Sequence, residues 1–232
     1  MLAFLDATIG KWLRHFLFVL VRTYYALFYN VSCANKHLLQ DQHGTLILAT
    51  HVSRHDGPLI SALLYSTMRI RPTVHYNEYH NWAQWFPMMV AGAIPMSSPQ
   101  SWTEERRIAR KAHTLKVIHQ ALAGGDSLLL FPAGRIRRQE REIVEPYLSG
   151  VHEIIRAEPD TPLMLLKIDG LGQFQYAKYD LFWSFLGIKK GRRHVSVMIA
   201  PLESLDASME REAFNKHLEA LLTECLPVAE SD

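Results

Sequence analysis

Four short apolar runs constrain the fold of this chain more than any other feature of its sequence. Each run has the length of a β-strand, and segments with helical or loop-like patterns separate them. The runs cover residues 46–49, 128–131, 163–168 and 195–200. Buried strands that alternate with helical segments predict an α/β fold, with a largely central mixed sheet flanked by helices.

The length and composition of the chain favour a single folded domain. The chain has 232 residues, of which 48% are hydrophobic, and this is enough apolar material to bury a full core. No Ser/Gly/Pro-rich linker and no internal repeat divides it. We therefore predict one domain over residues 31–232, preceded by a distinct N-terminal segment over residues 1–30.

A histidine and an aspartate five positions apart, His51 and Asp56, follow the first apolar run. This places His51 at the carboxyl end of a predicted strand, where open α/β sheets usually carry their sites. A carboxylate that holds one imidazole nitrogen lets the other nitrogen accept a proton from an alcohol. The pair can therefore form a general base.

Two other interpretations of this motif stay open. Asp56 can be a simple N-cap of a helix over residues 57–68, with His51 an ordinary loop histidine. His51 and His55 stand four positions apart beside Asp56, which is a possible metal-ligand set. The glutamate of the His-Glu-x-x-His zinc helix is missing, however, and the strand-to-loop context does not suit two ligands on one helical face.

A second motif follows the apolar run at 128–131, and it combines a proline, a glycine and three arginines. Backbone amides near a glycine and guanidinium groups suit the oxygens of a phosphate ester, although such arginines can also form a solvated surface. The motif residues are Phe131, Pro132, Ala133, Gly134 and Arg135, followed by Arg137 and Arg138.

Together, the two motifs resemble the signature of the glycerolipid acyltransferase superfamily, the glycerol-phosphate and lysophosphatidic acid acyltransferases. Residues 51–56 match its His-x4-Asp block, including the frequent serine at Ser53, and residues 131–135 resemble its Phe-Pro-Glu-Gly block. Two weaker blocks, at residues 92–95 and 161–166, are in register. The similarity extends over about residues 30–200.

The chain departs from the family pattern at three places. Ala133 replaces the glutamate of the third block, and Arg135 stands where lysophospholipid-directed members carry an arginine. Ser98 lies in the stretch after the second block, which lacks the expected arginine, and Leu165 replaces an inner proline of the fourth block. These departures leave the catalytic pair intact and the identity of the acceptor open.

The resemblance implies a membrane-associated enzyme that transfers a fatty acyl group from an acyl thioester to a lysophospholipid hydroxyl. In that reaction His51 is the general base and Asp56 orients it, with no metal and no cofactor beyond acyl-CoA or acyl carrier protein as co-substrate. Arg135 binds the acceptor phosphate, with Arg137 or Arg138 assisting. The remaining predicted substrate-binding residues are Ser53, Phe131, Pro132 and Gly134. The alternatives are a catalytically silent lipid-binding member of the same fold and a metal-dependent hydrolase.

The N-terminal segment predicts contact with a membrane surface. Residues 12–31 are rich in aromatic and aliphatic side chains, but Arg14 and Arg22 interrupt them, so no stretch approaches the ~20 apolar residues of a spanning helix. The mixture suits an amphipathic helix in the headgroup region, on the cytoplasmic face as a peripheral or monotopic protein. An ordinary amphipathic helix packed on the domain is the alternative.

The charge distribution does not indicate a nucleic-acid partner. The net charge is +2, and it is unevenly distributed, because residues 103–141 hold nine Lys and Arg against four Asp and Glu. Within that stretch, Thr103 and Glu104 predict the start of a helix, and Gly124 predicts its end. No nucleic-acid-binding module is recognisable there.

Overall fold

In the computed structural model, the described residues are 7–96, 99, 101–136, 142–146, 148–171, 193–202 and 205–224. Over these residues, seven strands form one mixed sheet in the spatial order β1-β7-β6-β2-β5-β3-β4. The strands are β1 Tyr29–Ala34, β2 Leu46–Ala49, β3 Ile70–His75, β4 Ile94–Met96, β5 Ser127–Leu130, β6 Leu163–Asp169 and β7 Arg193–Pro201. Strands β6 and β7 are antiparallel, and every other neighbouring pair is parallel. The predicted α/β fold with a central mixed sheet is confirmed.

Helices cover both faces of this sheet. They are α1 Ala7–Phe28, α2 Asp56–Leu64, α3 Tyr76–Tyr79, α4 Trp85–Ala91, α5 Glu104–Ala123, α6 Gly150–Ala157 and α7 Arg211–Glu224. One apolar cluster joins the sheet to α1 and α2, and a second joins it to α5, α6 and α7. The sheet is therefore the middle layer of a three-layer domain.

The central strand β2 shows why its sequence is apolar without interruption. Ile47 and Ala49 belong to the cluster under α1 and α2, whereas Leu46 and Leu48 belong to the cluster on the opposite face. Successive side chains of a strand point to opposite faces, so a strand covered on both sides needs apolar residues at every position. All four residues are at most 1% exposed.

The longest helix of the second layer, α5, begins and ends where the sequence predicts. The hydroxyl of Thr103 accepts a hydrogen bond from the backbone amide of Arg106, and Gly124 occupies the C-cap position. The side chain at the N-cap satisfies one of the free amides of the first turn. This helix runs from the loop after β4 to the start of β5 and fixes the end of the sheet that β3 and β4 form.

Candidate active site

The two sequence motifs meet at one edge of the sheet. The first follows β2 and the second follows β5, and these two strands are adjacent and parallel, with Leu46 opposite Leu128. Parallel strands end at the same edge, so residues 80 positions apart in sequence come together there. The rings of His51 and Phe131 stack, with centroids 4.4 Å apart and an interplanar angle of 30°.

His51 and Asp56 form a hydrogen-bonded pair. The Nδ1 atom of His51 lies 2.8 Å from Oδ2 of Asp56, whose side chain is fully buried, whereas the side chain of His51 is 20% exposed. When Nδ1 donates its hydrogen to the carboxylate, Nε2 keeps its lone pair and can accept a proton. The geometry therefore fits a general base with a solvent-accessible ring.

The carboxylate of Asp56 also organises the loop that carries His51. Its Oδ2 atom accepts hydrogen bonds from the backbone amides of Val52, at 2.6 Å, and Ser53, at 2.8 Å. Helix α2 begins at Asp56 itself, and His55 occupies the N-cap position without a side-chain capping bond. The interpretation of Asp56 as a simple helix cap is wrong, because its side chain binds the preceding loop and not the first turn of the helix.

Glu142 contacts the same loop, and the sequence motifs do not predict it. Its Oε1 atom accepts a hydrogen bond from the backbone amide of His51 at 2.8 Å, and the residue is only 1% exposed. A buried carboxylate requires hydrogen-bond partners in this environment. The contact joins positions 91 residues apart, and no local spacing in the sequence indicates such a pair.

Helix α1 reaches the other side of this loop through Tyr25. The hydroxyl of Tyr25 lies 3.2 Å from both Nδ1 and the backbone oxygen of His55. Burial raises the pKa of Tyr25 and lowers the pKa of His55, and the nearby charge of Asp56 partly opposes the second shift. Over the described residues, no three His, Cys, Asp or Glu side chains form a group that could hold a metal ion.

The remaining predicted site residues take different positions. Ser53 is buried, and its hydroxyl accepts a hydrogen bond from the backbone amide of His55 at 3.2 Å. Pro132 is also buried, and Gly134 is exposed. Gly134 has a φ angle of +63°, and its amide donates to the backbone oxygen of Phe131 at 3.0 Å, so a glycine suits this tight turn.

Arg135 is exposed at the same edge of the sheet. Its side chain is 55% exposed, and its Nη2 atom lies 2.5 Å from Oε1 of Glu145. Arg137 and Arg138 lie outside the described residues. The phosphate-binding role of the three arginines therefore stays a prediction.

Comparison with known families decides the identity of this fold and motif. The family model described as Acyltransferase matches residues 30–166, which is more than half of the 232 residues. The chain belongs to the acyltransferase family. The matched range includes both His51 and Asp56 and the whole segment 131–135.

A solved structure supports the fold of this acyltransferase. The chain is similar to the crystal structure of the 1-acyl-sn-glycerophosphate (LPA) acyltransferase, PlsC, from Thermotoga maritima, with a TM-score of 0.62 and 17% sequence identity. The alignment covers 96% of this chain and 83% of that chain. No curated protein sequence matches the chain.

Two of the three departures from the family pattern lie in the buried part of this acyltransferase. Ala133 is 5% exposed, and Leu165 is 2% exposed in β6, where it pairs with Leu48 on one side and Ala200 on the other. A leucine keeps the backbone N–H that a proline would remove from a central strand. Ser98 lies outside the described residues.

Proposed function

We propose that this acyltransferase moves a fatty acyl group from an acyl thioester to the hydroxyl of a lysophospholipid, either lysophosphatidic acid or a related lipid. The hydrogen-bonded pair of His51 and Asp56 at the carboxyl edge of the sheet is the observation that carries the proposal. The structurally similar protein from Thermotoga maritima is a 1-acyl-sn-glycerophosphate (LPA) acyltransferase, which supports the same class of acceptor here.

The reaction uses His51 as a general base. Nε2 removes the proton of the acceptor hydroxyl while the oxygen attacks the thioester carbonyl, and Asp56 stabilises the imidazolium through Nδ1. When the carbon–sulfur bond breaks, the imidazolium returns the proton to the departing thiolate. General base catalysis contributes roughly 10²- to 10⁴-fold, and positioning of the two substrates supplies a further part of the rate.

The acceptor phosphate binds beside this pair. Arg135 is the proposed primary contact, with Arg137 or Arg138 assisting, and it follows directly after the turn at Gly134. Because Arg135 is paired with Glu145 in the structure, a bound phosphate takes the place of that carboxylate. The hydroxyl of Ser53 accepts a hydrogen bond from the backbone amide of His55 and so stabilises the loop that carries His51.

The enzyme works at a membrane surface, as a peripheral or monotopic protein of the cytoplasmic face. Helix α1 buries Phe18 and Tyr25 against the domain, so the N-terminal segment packs on the domain and still exposes an outer face. Exposed large apolar side chains on α1 and near α4 are Trp12, Phe16, Val19, Leu20, Leu27, Trp82, Trp85 and Phe86. Aromatic and basic side chains together favour the headgroup region of a bilayer.

The two groups of exposed apolar residues are parts of connected elements. The Nε atom of Arg14 in α1 donates a hydrogen bond to the backbone oxygen of Val90 in α4 at 3.0 Å. Over the described residues, no helix is both long and apolar enough to cross a membrane. We call the exposed side chains of α1 and of residues 82–86 the apolar surface.

Acyl transfer from a labelled acyl thioester into a panel of lysophospholipids tests the proposal. We expect product with the native protein, a loss of roughly 10²-fold or more with His51→Ala, and a comparable loss with Asp56→Asn, because the amide no longer balances an imidazolium. His37→Ala is the matched control, since it removes an exposed histidine from a 3₁₀ turn away from the pair.

Full activity of His51→Ala would contradict the proposed mechanism. Absence of product with every donor and acceptor, from a folded protein that still binds vesicles, would favour the catalytically silent lipid-binding member instead.

A further inference from the structure

A cleft beside β3 and β4 has no role in the mechanism above. It has a volume of about 320 Å³ and lies between the strands, the short helix α3 and the middle of α5. Three of its aromatic residues, Tyr76, Tyr79 and His80, follow directly after β3, and Trp102 precedes α5. Ligand pockets start at roughly 300 Å³, so the cleft can hold one nucleotide-sized group.

The rings in this cleft form a connected aromatic surface. Tyr76 and His80 stack with centroids 4.0 Å apart, and Trp102 meets Tyr76 edge-on at 5.0 Å. Neither Tyr76 nor Trp102 is fully buried, and His80 is exposed. Partly exposed aromatic rings of this kind are the platforms on which proteins stack nucleic-acid bases and other flat heteroaromatic rings.

Two arginines add positive charge to the same cleft. The guanidinium of Arg110 lies 5.6 Å from the ring centroid of Tyr76, and its Nη2 atom donates to the backbone oxygen of Pro95 at 3.3 Å. Its Nε atom is buried and has no hydrogen-bond partner among the described residues. Arg71 lines the cleft as well, and its Nε atom is held by the backbone oxygen of Gly92 at 2.7 Å.

No acidic side chain is among the described residues that line the cleft. Arg71 forms an ion pair with Asp126, with Nη1 and Oδ2 3.9 Å apart, and Asp126 does not line the cleft. Guanidinium groups with unused donors favour phosphate oxygens as partners. A phosphate joined to a flat ring therefore satisfies both the aromatic surface and the arginines, whereas a phospholipid headgroup would use the arginines alone.

The position of the cleft relates it to His51. Strand β3 is two positions from β2 in the sheet, and β4 is three positions from it. Adjacent strands lie about 4.8 Å apart, so the lateral distance from the strand of His51 is roughly 10 to 15 Å. An acyl thioester whose sulfur lies at His51 and whose carrier runs along the carboxyl edge of the sheet reaches this cleft.

We propose that this cleft binds the phosphorylated adenosine end of acyl-CoA. The inference rests on the proposed acyl transfer and identifies its donor, because acyl carrier protein presents the same phosphopantetheine arm without a nucleotide. The adenine ring stacks on Tyr76, and a phosphate binds the free donors of Arg110. The cleft is thus a binding site for the donor, separate from the reacting atoms.

Binding of CoA and of adenosine 3′,5′-bisphosphate to the full chain, measured by titration calorimetry, tests the site without acyl transfer. We expect Arg110→Gln to weaken both ligands by about tenfold or more, because it removes charged hydrogen bonds to phosphate. Tyr76→Leu removes the stacking surface and weakens both ligands as well. Arg107→Gln, an equal charge change on the exposed side of α5, is the matched control and leaves both affinities unchanged.

A kinetic comparison uses two donors, acyl-CoA and the acyl thioester of 4′-phosphopantetheine. In Arg110→Gln, we expect the KM for acyl-CoA to rise about tenfold relative to that for the truncated donor. Equal effects on both donors, or a rise confined to the KM of the lysophospholipid, would overturn the assignment, and the latter would place the acceptor headgroup in the cleft. Unchanged CoA affinity in Arg110→Gln and Tyr76→Leu would also overturn it.

The calorimetric measurement of CoA binding tests this inference independently of the proposed acyl transfer. Arg110-dependent CoA binding by a chain that transfers no acyl group supports the cleft and contradicts the proposed activity. If the chain transfers acyl groups but neither CoA binding nor the KM for acyl-CoA depends on Arg110, the proposed activity is supported and the assignment of the cleft is contradicted.

Discussion

Glu142 holds the backbone of the proposed base, His51, in place from a distant part of the chain. Its Oε1 atom accepts a hydrogen bond from the backbone N–H of His51, and Glu142 is only 1% exposed. Glu142→Ala leaves this amide without its acceptor, which costs about 1–3 kcal/mol in the free energy of unfolding. We also expect a lower kcat with little change in the KM for the acyl donor, because the ring of His51 loses its fixed position.

The Glu142→Gln variant separates the effect of the hydrogen-bond acceptor from the effect of the negative charge. The glutamine keeps an oxygen that can accept the same hydrogen bond, so we expect it to recover most of the stability and of kcat. Urea unfolding and initial rates with a saturating donor measure both quantities. Equal losses in the alanine and glutamine variants would show that the negative charge, and not the acceptor oxygen, is the property that matters.

His55 makes the stability of the site loop dependent on pH. Burial lowers the pKa of His55 from its ordinary value of 6.5, so near that pH the unfolded chain binds a proton more readily than the folded chain. The free energy of unfolding is therefore highest above this pH, decreases as the pH falls through 6.5, and levels off below the folded-state pKa. Urea unfolding between about pH 7.5 and pH 5 measures this dependence.

A variant isolates the contribution of His55 from that of the carboxylates. We expect His55→Gln to flatten the pH dependence in this window relative to the native chain. A slope that is identical in the native protein and in His55→Gln would refute the assignment.

Sequence reasoning predicts the residues of the site only where their partners are near in the chain. Asp56 is predictable because it lies one short loop from His51, and the stack of Phe131 on His51 follows once β2 and β5 are recognised as neighbouring parallel strands. Glu142 and Tyr25 contact the same loop from 91 and 30 residues away, at His51 and His55. Such contacts depend on the tertiary arrangement and have no sequence spacing of their own.

At the scale of elements, burial decides which strands the sequence reveals. Strands β2, β5, β6 and β7 are apolar runs because helices cover them, and the predicted runs overlap all four. The sequence does not predict β1, β3 or β4. Strand β1 lies at one edge and alternates with polar Asn30 and Ser32, β3 contains Arg71 and Pro72, and β4 has only three residues at the other edge.

The apolar surface on α1 is the element that we expect to bind membranes. Trp12 and Phe16 are 70% and 65% exposed, so they contribute little to the core. The double substitution Trp12→Ser and Phe16→Ser removes two anchoring side chains. It should reduce the partition of the protein onto anionic vesicles by roughly tenfold or more. Vesicle sedimentation measures the partition, and the melting temperature should remain within a few degrees of the native value.

Ile108→Ser provides the control for this element. Ile108 is 61% exposed, close to the 65% of Phe16, but it lies on α5, which covers the opposite face of the sheet. We expect native vesicle binding from this variant. An equal loss in both variants would show that binding depends on general surface hydrophobicity and not on the apolar surface of α1.

At the scale of the whole molecule, the parallel strands gather groups that the sequence disperses. His51 follows β2, Phe131 follows β5 and Tyr76 follows β3, and these three strands are consecutive in the sheet. Their carboxyl ends share one edge, so the proposed base, the proposed acceptor-binding turn and the proposed donor cleft all follow strands that end there. The order of the strands, which no single motif contains, therefore determines which of these residues lie next to one another.

The proposed general base requires no metal ion, and this expectation can be tested on the intact protein. The Nδ1 atom of His51 is engaged with Asp56, and the Nδ1 atom of His55 lies beside the Tyr25 hydroxyl, so a metal bound through these atoms would have to displace existing hydrogen bonds. We expect dialysis against EDTA to leave acyl transfer and the melting temperature unchanged, and added Zn²⁺ or Mg²⁺ to produce no increase. A zinc esterase in the same buffer, which must lose activity, verifies the chelation. Activity that disappears with EDTA and returns with Zn²⁺ would replace the general-base mechanism with a metal-dependent one, in which His51, His55 and Asp56 are ligands.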